Sequence, residues 1–290
     1  MRKTKSPLRS PGRARARLTR RGEVRIGISG WNYKPWRGVF YPPKHPQKRE
    51  LEFASRAFNT IEINGTFYSL QRPGSFQKWY DETPPDFLFS VKGARFITHM
   101  KKLRDVEAPL GNFFASGLLA LREKLGPILW QFPPNFGWNE ARFRDFFALL
   151  PRDTEEAAQL ACRHNEKLKA PPFLEIDANR PLRYAVEIRH PTFVVPQFFD
   201  FLREHNTAFV FADTAGKWPY VEEVTSDFIY CRLHGDTQLY VSGYSDDALA
   251  SWAERLRRWN RGRDLFVYFD NDAKVHAPFD AQRLTALLSK

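Results

Sequence analysis

Eight short apolar runs, each closed by Gly, Pro, Asn or Asp, constrain this chain more than any other feature. They are VRIGISG (24–30), NTIEING (59–65), DFLFSVKG (86–93), GPILWQFPP (126–134), RYAVEIRHP (183–191), TAFVFADT (207–214), DFIYCRLHG (227–235) and DLFVYFDND (264–272). Each is rich in β-branched or aromatic residues, as strands are. Amphipathic stretches separate them. In Ser245–Arg261, Leu249, Trp252, Leu256 and Trp259 recur at spacings of three and four, which predicts a helix; a second begins after Pro278 and carries AQRLTALL. Alternating strands and helices imply a parallel sheet, and eight repeats close a (β/α)8 barrel of TIM type. An open doubly wound sheet is the rival, but no Gly-rich phosphate turn follows the first run.

The expected organisation is a single α/β domain over 23–290. It carries an insertion at 151–182, before the fifth strand, where a helix-to-strand connection belongs at the bottom of a barrel. The 26 Phe and 8 Trp residues supply core material. Residues 1–22 hold nine Arg and Lys and no acid. Of the 45 bases in the chain, 36 then remain against 33 acids, so most of the formal +12 belongs to this tail. Its Pro/Ser/Arg composition predicts disorder, and it could touch nucleic acid through phosphate charge; a solvated extension or a start codon assigned too early explains it equally. No apolar run reaches the roughly 18 residues of a membrane span, no signal peptide is legible, and Cys162 and Cys231 suit neither a zinc site nor a disulfide framework. The expectation is a soluble, cytoplasmic protein with no membrane partner.

Strand parity aims particular polar residues into the barrel. Ile61 and Ile63 should face the helices, turning Glu62 and Asn64 inward. Val186 and Ile188 do the same for Glu187 and Arg189, and Ile229, Cys231 and Leu233 for Arg232 and His234. Lys92 and Gln131 follow from the third and fourth runs. All lie at the C-terminal ends of their strands, where barrel enzymes keep their sites. Loops at the same mouth add Trp31, Tyr33, Trp36, Phe67, Tyr68, Tyr240 and Tyr244, as stacking surfaces or as lid packing.

Taken together, GISGWNYKPWRGVFYP, EINGTFYS, FSVKG, WQFPPNF, VEIRHPTF, ADT, YCRLHGD and VYFDNDAKVHAPFDAQRL resemble the YecE-like family, domain of unknown function 72, over about residues 23–290. The resemblance implies a TIM barrel and no settled activity. It places Glu62, Asn64, Lys92, Gln131, Glu187, Arg189, His190, Asp213, Arg232 and His234 at family motif positions. The chain departs from it at Asp270-Asn271-Asp272, where paired Asn is usual, and at Thr192-Phe193. A likeness of such barrels to metal-dependent repair endonucleases would imply nucleic-acid binding.

The chemistry that follows is an expectation. Lys92, Arg189 and Arg232 could hold an anion, and Gly235 lies where barrels frequently bind phosphate. Glu62 and Glu187 could act as paired carboxylates of a hydrolase, with Lys92 and His234 as further acid/base groups. Trp31, Tyr33, Asn64, Phe67, Tyr68, Gln131, Arg189, His190, Asp213, Arg232, Gly235 and Asn271 would bind the ligand. A sugar-phosphate isomerase or lyase, and a non-catalytic nucleic-acid binder, are the alternatives. His190, His234, Glu62, Glu187 and Asp213 are a thin ligand set for a metal cluster and no HxH or HExxH occurs, so the sequence requires no cofactor and leaves a divalent metal as the alternative.

Overall fold

In a computed structural model, described over residues 21–289, eight parallel strands close a barrel. They are β1 (Val24–Ser29), β2 (Thr60–Ile63), β3 (Leu88–Lys92), β4 (Leu125–Gln131), β5 (Tyr184–Glu187), β6 (Ala208–Asp213), β7 (Phe228–Leu233) and β8 (Asp264–Phe269), and β8 pairs back onto β1. Every strand falls on one of the eight apolar runs, β4 beginning one residue early. The outer layer holds α1 (Glu50–Ala57), α2 (Pro73–Glu82), α3 (Glu107–Ala115), α4 (Glu140–Leu149), α5 (Thr154–Ala161), α6 (Pro196–Glu204), α7 (Asp246–Trp259) and α8 (His276–Leu288). The disorder expected of the basic tail concerns residues 1–20, outside the described chain. Arg21 and Gly22 belong to the barrel instead: Arg21 bridges to Arg261 and the Gly22 N–H donates to Asn260 O.

Helix α7 forms where the periodicity placed it. The Ser245 hydroxyl caps it by accepting from the Ala248 N–H, and Leu249, Trp252, Leu256 and Trp259 make its buried face. Helix α8 starts at His276, two residues before Pro278; a first-turn proline loses no helical hydrogen bond, so it does not mark the start. The alternation is not strict. Between β6 and β7 no helix forms among the described residues, because 214–227 carries Gly216 and Pro219 and no apolar stripe. The extra helix is α5, in the insertion before β5. That insertion is not confined to the bottom face. Its ends lie there, with Asp153 bridged to Pro181, but its middle climbs the wall until Asn165 exchanges two hydrogen bonds with Asn112 of α3.

The barrel interior is layered by chemistry. At the bottom Leu129, Ala185, Ala208, Val210, Phe228 and Phe266 pack as an apolar plug separate from the larger strand-helix core. Above it Tyr230 and Tyr268 hydroxyls meet Ser90 and Thr60 at 2.6 and 2.8 Å. Above these the lumen is ionic. Each step of two residues along β7, from Phe228 to Tyr230 to Arg232, climbs one layer.

Lys92, at the top of β3, is followed by a glycine for a steric reason. A Cβ on Gly93 would sit 2.2 Å from the ring of Trp130, which is fully buried on β4. Gly93→Ala is expected to cost about 1–3 kcal/mol through forced repacking, read as a lower urea midpoint at unchanged slope; a midpoint equal to wild type would mean that Trp130 moves aside freely.

Candidate functional site at the barrel mouth

The ionic layer centres on Arg232. Its Nε and Nη2 donate to the two oxygens of Glu62 at 3.2 and 2.8 Å, its Nη1 to Glu187 Oε2 at 2.7 Å, and its Nη2 also to Asp270 Oδ2 at 2.8 Å. Arg232, Glu62 and Glu187 are 0% exposed. Glu62 additionally accepts from the Ser29 hydroxyl at 2.8 Å and from the Tyr230 hydroxyl at 2.5 Å. Glu187 Oε1 accepts from Arg189 Nε at 3.2 Å. Four strands are thereby stitched through one guanidinium. Burial alone would raise the pKa of Glu187, but Arg232 and Arg189 outweigh it and hold the group well below the usual carboxylate range. Burial opposes ionisation of Asp270 too, and Arg232 with His234 still brings it down to about 2. The His234 ring lies in this layer with Nδ1 3.1 Å from Asp270 Oδ2, off the line of a hydrogen bond.

Glu62 and Glu187 therefore flank Arg232 and not a ligand cavity. The expectation of paired acid/base carboxylates is corrected by this geometry: together with Asp270 they are taken up by hydrogen bonds to one buried cation. Among the described residues no three His, Cys, Asp or Glu side chains converge as a metal site.

The open cavity sits above this layer. It measures about 490 Å³ and is lined by Lys92, Gln131 and Arg189 from the strand ends, with Phe67, Tyr68, Arg95, His99, Met100 and Tyr240 from the loops. Lys92 is 7% exposed and lies 4.4 Å over the Phe67 ring; its ammonium has no hydrogen bond or ion pair among the described residues. Burial, and then Arg232, lower its pKa to about 8. Arg189 stacks on Trp218 at 3.8 Å and donates from Nη2 to the Tyr240 hydroxyl at 3.1 Å. Arg95 stacks on Tyr68. His99, in the π-helical turn Phe96–Met100, is pushed down to about 4 by burial, then by Arg189 and Lys92, so it is neutral at pH 7. Gln131 Oε1 is buried without a partner. Tyr240 holds a left-handed backbone at φ 64°, the kind of strain that sites retain.

Of the residues expected to bind ligand, Phe67, Tyr68, Lys92, Gln131 and Arg189 come together in this cavity. Others are placed elsewhere. Asp213 has the outward parity of Phe209 and Phe211 and accepts from Tyr244 Oη and Trp252 Nε1 in the helix layer. The N–H of Gly235 donates to that same Tyr244 hydroxyl at 3.2 Å, which leaves it no phosphate to hold. Asn271 ties Ser242 O to Asp280, and the His190 ring packs on Thr192. Trp31 lies edge-on to Trp79 of α2, and Trp36 is buried beneath the first loop. Tyr33 donates to Ser29 O, and Asn64 Oδ1 is buried without a partner. Asp270, noted in the sequence only as a departure from the family pattern, and Tyr230 were not among the expected site residues although they share the inward parity of Tyr268 and Arg232; Arg95, His99, Met100 and Trp218 sit in loops with no periodic signal.

A family model described as "Protein of unknown function DUF72" matches residues 25–290. The chain is 23% identical to UPF0759 protein YunF of Bacillus subtilis (strain 168), over 91% of this chain and 94% of that one. It is 29% identical to UPF0759 protein YecE of Escherichia coli (strain K12), over 40% of each chain. A crystal structure of a DUF72 family protein from Thermotoga maritima MSB8 superimposes with a TM-score of 0.72 at 25% identity, covering 92% of this chain and 100% of that one. No helix among the described residues is long and apolar enough to cross a membrane.

The ionic layer makes a signed prediction about pH. Asp270 falls from an ordinary 3.8 to about 2 in the fold, so its contribution is present above about pH 4 and lost as pH falls through 2. Arg232→Met removes the cation and leaves three carboxylates in mutual repulsion, an expected loss of about 3–5 kcal/mol at pH 7. The pKa values of Glu187 and Asp270, which Arg232 holds down, then rise, so the variant should regain stability between pH 7 and 4 while wild type does not. Urea midpoints across that range decide it, and a variant that tracks wild type in parallel refutes the assignment.

Proposed function

This chain belongs to the DUF72 family, and from that premise we propose that its barrel mouth binds a small anionic ligand bearing phosphate. One observation carries the reading: the guanidiniums of Arg95 and Arg189 face the cavity beside Lys92, and none of its lining residues is acidic. Basic side chains gathered in one partly enclosed space repel one another, and a ligand anion is the group that offsets that cost. Arg189 is fixed by Trp218, Glu187 and Tyr240, which preorganises its remaining nitrogen, Nη1, for a phosphate oxygen at little entropic cost. The cavity suits a metabolite-sized molecule, and Phe67 and Tyr68 offer it aromatic faces. Glu62, Glu187, Asp270 and His234 act beneath the ligand as its electrostatic floor.

Thermal unfolding of the full chain against inorganic phosphate, sugar phosphates, nucleotides and short oligonucleotides tests this. A ligand at a hundredfold its Kd adds about 2.7 kcal/mol, roughly 4 °C for a chain of this length. Phosphate-bearing small molecules are expected to raise the midpoint, and Arg189→Gln to weaken them about 10- to 100-fold, as loss of a charge-assisted hydrogen bond does. Silence from every small phosphate, or equal responses of wild type and Arg189→Gln, sinks the proposal. Stabilisation by oligonucleotides alone would instead favour nucleic acid.

A further inference from the structure

We propose that Lys92 is an imine-forming nucleophile, and that the ligand is a phosphate-bearing aldehyde or ketone whose carbonyl carbon it attacks. The inference deepens the anion reading of the same cavity and rests on it. The fold supplies its own comparison. Among the described residues two lysines are buried, Lys92 and Lys124. Lys124 spends all three protons on Tyr80 O, Thr83 O and Thr83 Oγ1, at 2.6, 2.8 and 3.2 Å, which is how a structural lysine is satisfied. Lys92 spends none. Its amine projects past the Phe67 ring into the cavity, with the Arg232 guanidinium beneath it and Arg189 and Arg95 lining the same space.

That placement suits a nucleophile better than a counter-ion. The guanidiniums of Arg189 and Arg95 already provide permanent positive charge for a phosphate. An amine largely out of water, with the Arg232 guanidinium beneath it, is biased toward its neutral form, as in lysines that make Schiff bases; its lowered pKa, about 8, agrees, burial and Arg232 outweighing the pull of Glu62, Asp270 and Glu187. In the step itself the neutral Nζ gives its lone pair to the carbonyl carbon and the C–O π pair moves to oxygen. The two amine protons pass to that oxygen, which leaves as water as the C=N bond forms. No oxidant or reductant is needed. Gln131 Oε1, buried and without a partner in the same cavity, is placed to accept from the carbinolamine hydroxyl, and the Tyr240 hydroxyl is the nearby proton carrier.

Reductive trapping tests the inference on the full chain. Dihydroxyacetone phosphate near stoichiometric concentration and cyanoborohydride are added at pH 7, and the modified peptides are mapped by mass. With a pKa of about 8 against an ordinary 10.5, Lys92 holds about 300-fold more neutral amine than a surface lysine at that pH. Allowing for lower intrinsic nucleophilicity, its peptide should label on the order of tenfold faster or more. Labelling should rise with pH through a midpoint near 8, slow with excess inorganic phosphate, exceed that by pyruvate, and vanish in Lys92→Met. Mapping in wild type decides the site even if that variant folds poorly. Label spread over surface lysines overturns the imine, and the anion reading then survives if phosphate still raises the unfolding temperature. Lys92 labelling that is indifferent to phosphate, or faster with pyruvate, overturns the phosphate-bearing class while leaving the amine reactive.

Discussion

One guanidinium holds this barrel's upper interior together. Arg232 is the hub at which Glu62 of β2, Glu187 at the end of β5 and Asp270 just beyond β8 meet. An isolated charge at that depth would cost several kcal/mol or more. Here the charges occur as a set, and the hydrogen bonds from Ser29 and Tyr230 complete the coordination of Glu62. The layer fixes the strands against one another where packing of apolar side chains has stopped, and it forms the floor of the cavity that Lys92 lines.

This constraint redistributes chemistry within the site. Carboxylates that would serve as acid or base in an open mouth are hydrogen-bonded to Arg232 and sealed beneath it. What reaches the cavity is cationic and aromatic: Lys92, Arg95 and Arg189 over Phe67, Tyr68 and Tyr240. The loops after β2 and β3 shape two adjoining spaces, since Phe67, Tyr68, Arg95 and Met100 also line a second cavity of about 530 Å³ that the insertion reaches through Asn165 and Lys167. An insertion rooted at the bottom of the barrel thus borders the functional end.

Parity was the part of the site legible in the sequence. Ile61, Val186 and Ile229 fix the outward face, and the inward direction of Glu62, Glu187 and Arg232 follows because successive side chains of a regular strand point to opposite faces. The same rule, carried two residues further, reaches Tyr230 and Asp270, and it turns Asp213 toward the helices. Motif position had suggested the opposite for Asp213, since a recurring residue in a strand can serve packing as well as chemistry. Gly235 and Asn271 were drawn to the site for their place at strand ends, yet Tyr244 and Asp280 claim their hydrogen bonds. Partners contributed by distant loops leave no mark on a local pattern.

By itself the sequence determined the closed eight-stranded α/β barrel, the residues that point into its lumen and the end at which they gather. Those follow from periodicity, which is local and repeats along the chain. Tertiary structure alone decided which of the gathered groups neutralise each other and which remain free. Direction into a lumen is a property of one strand, but pairing depends on distances between strands and on side-chain reach. The carboxylates closed on Arg232, the Lys92 amine was left without an acceptor among the described residues, and His99, Arg95 and Trp218 arrived from loops whose paths only the packed barrel fixes.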